Sequence, residues 1–201
     1  HARGNPELYQ LLIDHGAEPK ESPRDRLHNA ISDDDLEATE ALLKEHPDLA
    51  RDPTMFWNEG IMVTAARDAH WEMMDLLLRH GAQIPDLTKW GKSYYFKRLD
   101  VGKYLLEKGM DPNHMNWHRT TLLHDAAFDG QLEKARLLLD HGAEIDAIDE
   151  EYRSTPLGLA TRSGQKELVE LLLERGADPS LSGAAWATPL FWAEKGVMRR
   201  L

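Results

Sequence analysis

Nothing constrains this chain more than the return of one segment along it. LLIDHGAEP at 11–19, LLLRHGAQI at 76–84, YLLEKGMDP at 104–112, LLLDHGAEI at 137–145 and LLLERGADP at 171–179 share one pattern, and LLKEHPDLA at 42–50 is a looser copy. A second recurring element is read in RLHNAI (26–31), IMVTAA (61–66), TLLHDAA (121–127), TPLGLAT (155–161) and TPLFWAE (188–194). Self-similarity at this spacing means stacked units, each one supersecondary piece deep. In TLLHDAAFDGQLEKARLLLDHGA a short apolar helix runs to Gly130, and a second helix places Leu132, Ala135, Leu138 and Leu139 on one face. Gly142 then ends that helix with a left-handed cap that costs no Cβ clash. Neither helix is long enough to stand alone, so copies must bury each other's faces.

Both elements, in register, resemble the ankyrin repeat, whose signature includes T-P-L-H-x-A and whose period is about 33 residues. The resemblance covers nearly the whole chain. It implies an all-α solenoid of helix-turn-helix units with short β-hairpin fingers. We divide the single domain, 1–201, into a half repeat (1–20), repeats at about 21–52, 53–84, 85–115, 116–149 and 150–182, and a partial repeat (183–201). Each closing glycine falls 21 residues after the start of the first element: Gly142 after Thr121, Gly176 after Thr155, Gly81 after Gly60 and Gly109 after Thr88. The aberrant TKWGKSYYFKR (88–98) is therefore expected to be a full-length first helix with rewritten side chains. The shortening lies before it: 7 residues lead from Gly81 to Thr88, where 12 or 13 separate the later pairs. With Pro85 further limiting strand pairing, that junction is expected to lack a finger, opening a notch in front of Trp90, Tyr94, Tyr95 and Phe96. With polar Lys92 and Ser93, this repeat is expected to be the weak link of the stack. Incomplete repeats at both ends predict a piece of a longer polypeptide, or half-repeats of two copies completing each other end to end; otherwise a monomer is expected.

In the ankyrin family, partner contacts typically come from finger tips and from variable residues after the A-A pair. Carried over by position, these slots hold Phe56, Trp57 and Arg67; Tyr95 and Phe96; Trp117, His118 and Phe128; and Tyr152 and Arg162. Lys97 and Arg119 add polar contacts beside them. Aromatic side chains and arginine dominate binding hot spots, so a protein or peptide partner is expected in the concave groove. Packing of Tyr95 or Phe96 into the space of the missing finger is the competing reading for that pair. The resemblance also gives His28 and His124, at the T-P-L-H position, hydrogen-bonded structural roles. His15, His80 and His141 sit where a partial positive charge favours a helix C-terminus. His114 and His118, near Asp111, lie on a finger where their rings need not converge, so no metal is expected.

Composition narrows the function classes. The chain has no Cys, which removes disulfides, thiolate zinc sites and cysteine nucleophiles. A formal net charge of -11 argues against broad nucleic-acid binding. No apolar run approaches the roughly 18–20 residues that span a bilayer, and the opening residues do not read as a leader; a cytoplasmic protein without membrane contact is expected. There is no Gly-rich phosphate loop, H-E-x-x-H motif or nucleophile elbow, so we expect no enzyme and no cofactor. Two alternatives remain: a regulatory or targeting module of a longer enzyme, and a small-ligand site in the notch near Trp90 and Tyr94.

Overall fold

The computed structural model describes residues 5–17, 21–52, 60–84, 98–115 and 119–195. Their helices are α1 (Pro6–Asp14), α2 (Pro23–Ser32), α3 (Leu36–Glu45), α4 (Met62–Asp68), α5 (Trp71–Arg79), α6 (Leu99–Glu107), α7 (Leu122–Asp129), α8 (Leu132–Asp140), α9 (Pro156–Arg162), α10 (Lys166–Glu174) and α11 (Pro189–Lys195), with 3-10 turns at Pro47–Arg51 and Ala185–Ala187. No strand occurs among the described residues. Adjacent helices pair as α2–α3, α4–α5, α7–α8 and α9–α10, and first helices stack as α2–α4 and α7–α9–α11. This is the stacked helix-pair solenoid that the repeats predict. Buried Leu27, Ile31, Met62, Met74, Leu77, Leu105, Leu123, Leu138 and Leu172 form one continuous apolar seam through it.

Local chemistry sets each helix end. Asn5 caps α1 by accepting from the Glu7 and Leu8 amides, and Asp35 caps α3 by accepting from Ala38. Each second helix is measured off by the same length. Asn5, His70, Arg98, Gln131 and Gln165 stand just before α1, α5, α6, α8 and α10. In each case a glycine with positive φ follows eleven residues later: Gly16, Gly81, Gly109, Gly142 and Gly176, at 87° to 100°. The looser copy has His46 at that place, φ -129°, and the chain turns into Pro47–Arg51 instead. The residue before the second-helix cap is also left-handed: Asp34, Ala69, Gly130 and Gly164 have φ of 57°, 57°, 72° and 70°.

Among the described residues, side chains hold the connections and no paired strands do. Asp149, buried, accepts from the amides of Tyr152 (2.5 Å) and Ser154 (3.0 Å), while its own amide donates to the Ser154 carbonyl. Successive repeats are tied by a ladder. The Asn113 side chain accepts from the Glu144 amide at 2.6 Å and donates to the Gly142 carbonyl at 3.1 Å. One repeat on, the Asp146 carboxylate accepts from the Asp178 amide at 3.0 Å. At the N-terminal side α1 leaves Leu8, Tyr9, Leu11 and Leu12 exposed.

The two T-P-L-H histidines part company. His124 is completely buried: its Nδ1 accepts from the Thr121 amide and hydroxyl, and its Nε2 donates to the carbonyls of Ala147 (3.0 Å) and Ser154 (3.3 Å). An amide can only donate, so Nδ1 is bare and the proton sits on Nε2. His28, by contrast, is exposed. The reason is length. α2 starts a turn earlier than α7, at a Ser22–Asp25 capping box, so His28 lies mid-helix rather than at the helix start where His124 spans a connection.

Candidate functional site

One position of the first helices generates a stripe. Arg67, Phe128 and Arg162 each lie three residues before the residue that precedes a second helix, and Ser32 is their equivalent in α2. The two positions before them are buried in α4 and α7, Ala65–Ala66 and Ala126–Ala127, because they face the neighbouring helices. At the stripe position Arg67 is exposed and Phe128 and Arg162 are half-buried. Arg67 is engaged by its neighbour Asp68 through Nε (2.9 Å) and Nη2 (2.5 Å). That pair raises the arginine's pKa and lowers the aspartate's.

Tyr152 and Arg162, placed ten residues apart on a connection and a helix, meet in space. The Arg162 guanidinium carbon lies 4.4 Å from the centre of the Tyr152 ring and 4.7 Å from that of Trp192. The second ring was not foreseen from the sequence. Trp192 is only 7% exposed, and Phe191 and Trp186 meet its edges or faces nearly at right angles, at 5.3 and 6.2 Å between centres. The signal for it lay in TPLFWAE, whose Trp falls one repeat beyond Arg162 on the next stacked helix. Arg119, exposed, takes a left-handed φ of 60° and pairs with Glu150 of the next connection at 3.1 Å. Phe56, Trp57, Tyr95, Phe96, Lys97, Trp117 and His118 lie outside the described residues, as do Trp90 and Tyr94 of the notch.

A second cluster missed by sequence reasoning joins α5 to α6, beside the shortened connection. The Tyr104 hydroxyl donates to Asp75 at 2.7 Å and Lys108 donates to the same oxygen at 3.0 Å. Trp71 packs on Tyr104 with ring centres 5.5 Å apart. The two hydrogen bonds, Tyr104's first, hold the Asp75 carboxyl below its usual range; burial and then Asp75 push the Tyr104 hydroxyl well above its ordinary value. Two open clefts, about 450 Å³ between α2 and α3 and about 800 Å³ where α3 faces α5, contain none of the stripe residues. No described helix is long and apolar enough to cross a membrane.

Residues 91–183 match the family model for ankyrin repeats in three copies. Among curated proteins, the chain is 41% identical over 80 residues to Palmitoyltransferase Hip14 of Drosophila melanogaster, covering 40% of this chain and 13% of that protein. It is 40% identical over 126 residues to Palmitoyltransferase ZDHHC13 of Mus musculus (63% and 20%), and 29% over 138 residues to Palmitoyltransferase ZDHHC17 of Homo sapiens (68% and 20%). The chain thus spans a fifth or less of the length of these relatives. The expectation of no enzyme is corrected by these names: the proteins this chain resembles are palmitoyltransferases, and motif searching within 201 residues could not register it, because the matched stretch is a small part of each.

Proposed function

Because this chain carries ankyrin repeats, we propose that it holds a protein or peptide segment along the inner edge of its first helices, as the recognition region of a longer palmitoyltransferase. Protein–protein contact is what such repeats support in general. The stripe carries the finer reading: one register position per repeat, left at least partly exposed, holds Arg67 and Phe128 just past buried alanine pairs and Arg162 two residues past buried Ala160. A stacked array turns such a position into a continuous line, and Phe and Arg on that line are residues that anchor partners. By their repeat positions in the sequence, Trp57, Tyr95, Phe96, Trp117 and Tyr152 are taken as further anchors, with Phe56 and His118 as additional contacts and Arg119 and Lys97 as polar ones. A segment bound there would be held at high effective concentration beside the chemistry of the longer protein.

The test is selection of a displayed random-peptide library on the chain, followed by affinity measurement on Trp117→Ala and Phe128→Ala variants whose helicity is checked by circular dichroism. A loss of about tenfold or more per anchor is expected. Equal affinity for both folded variants, with loss on an α6 surface variant such as Lys103→Ala, would move the site off the stripe. The palmitoyltransferase part is settled by the full reading frame: one without any acyltransferase region overturns it.

A further inference from the structure

We propose that Arg162, together with Trp192, forms a subsite that receives a carboxylate of the bound segment. The subsite rests on the partner-binding reading and specifies its chemistry.

Arg67, Arg98, Arg119 and Arg175 each hold a carboxylate, from Asp68, Asp100, Glu150 and Asp140. Arg162 holds none among the described residues, in a chain with 35 Asp and Glu. Its contacts are instead two aromatic faces, Tyr152 and Trp192. Neither ring face offers a lone pair to its N–H donors. A guanidinium is weakly hydrated and tolerates such stacking, while its edge remains a fork of donors matched to a carboxylate.

A second, independent observation points to the same absent acceptor. The indole Nε1–H of Trp192, a side chain 7% exposed, is buried with no hydrogen-bond partner among the described residues, and so are Arg162 Nε and the Ser163 hydroxyl. Buried donors are almost always paired, and leaving one unpaired is costly. Here two N–H donors go unmet on side chains that touch. Both groups can only donate. What would satisfy both is an acceptor with several lone pairs and a negative charge, which is a carboxylate. The Tyr152 and Trp192 rings beside the guanidinium would lower the local dielectric and strengthen such a pair.

The experiment is a nitrogen–proton NMR titration of the chain, following the Trp192 indole and Arg162 Nε signals, with Trp192→Phe assigning the indole peak. The probes are the capped residue N-acetylglutamate N-methylamide, its glutamine counterpart, and N-acetylglycine, which carries a main-chain terminal carboxylate. A saturable shift of both signals is expected with a carboxylate probe, half-complete on the order of 1–10 mM, about tenfold stronger than with the glutamine analogue and abolished in Arg162→Gln. A response to the glutamate probe assigns the carboxylate to an acidic side chain; a response to N-acetylglycine alone assigns it to a chain terminus. No shift with either acid, an equal shift with the glutamine analogue, or a shift that survives Arg162→Gln overturns the subsite. Library peptides that still need Phe128 under those outcomes would leave the stripe reading standing, so the two failures are distinguishable.

Discussion

Replacing His124 by Ala is expected to cost about 4 kcal/mol, and the structure says where the loss comes from. The ring is fully buried and links three backbone stretches: the start of α7, Ala147, and Ser154. Removing it strands the Thr121 amide and the Ala147 carbonyl, at about 1–3 kcal/mol each, and leaves part of a side-chain volume empty. Ser154 loses less, because its carbonyl still accepts from the Asp149 amide at 3.1 Å. Urea unfolding followed by circular dichroism at neutral pH measures the sum. The same geometry fixes a pH dependence. Burial, the largest influence, lowers the His124 pKa, with Asp149 opposing it. The unfolded imidazole therefore takes up a proton near pH 6.5 while the folded one does not. Below that pH the unfolded state binds the extra proton, so stability falls as pH falls, by at most about 1.4 kcal/mol per unit. His124→Gln removes this contribution, and the stability gap between wild type and His124→Gln should narrow steadily as pH falls below about 6.5. A loss under about 1 kcal/mol for His124→Ala, or a gap that stays constant with pH, would refute the reasoning.

Two further expectations concern backbone and phenol. Ala69 occupies a left-handed position, φ 57°, where two later repeats carry glycine, so Ala69→Gly should stabilise by roughly 0.5–1 kcal/mol once glycine's greater unfolded freedom is subtracted; thermal unfolding at a lower midpoint would contradict this. Tyr104, held by Asp75 and partly buried, should remain protonated near pH 11, where ordinary tyrosines have ionised; spectrophotometric titration of wild type against Tyr104→Phe decides it, and an unchanged difference spectrum at that pH is the expected result.

Much of this architecture was legible because it is periodic. The glycines that close second helices announce φ requirements that few other residues meet, and the structure finds positive φ at every one of them. Arg98 stands the same distance before its glycine as Gln131 and Gln165 do, whereas the full-length first helix that the count from Thr88 to Gly109 leads one to expect at 88–98 falls almost wholly outside the described residues. His28 shares the motif position of His124, but that position says which residue aligns and not where its helix starts; α2 begins a turn earlier, at Ser22, and His28 is exposed. The meeting of Tyr152, Arg162 and Trp192 was half legible. The resemblance to the ankyrin repeat proposes Tyr152 and Arg162 as partner contacts, but it cannot show that a side chain from the following repeat lies over the same cation. The Trp71–Tyr104–Asp75–Lys108 cluster was invisible for a plainer reason: Asp75 and Tyr104 are ordinary amphipathic-helix residues until two helices from different repeats lie side by side.

The ladder from Asn113 to Glu144 and from Asp146 to Asp178 has a consequence for how such a chain can change over generations. Each rung joins a fixed position of one unit to a fixed position of the next, so its geometry depends on phase rather than on total length. Loss or duplication of a whole unit re-forms the same rungs between new neighbours. An insertion of a few residues within a unit breaks the phase and costs every rung that crosses it. Length is therefore free to vary in whole steps and resisted in fractions, a quantised tolerance written into two side chains.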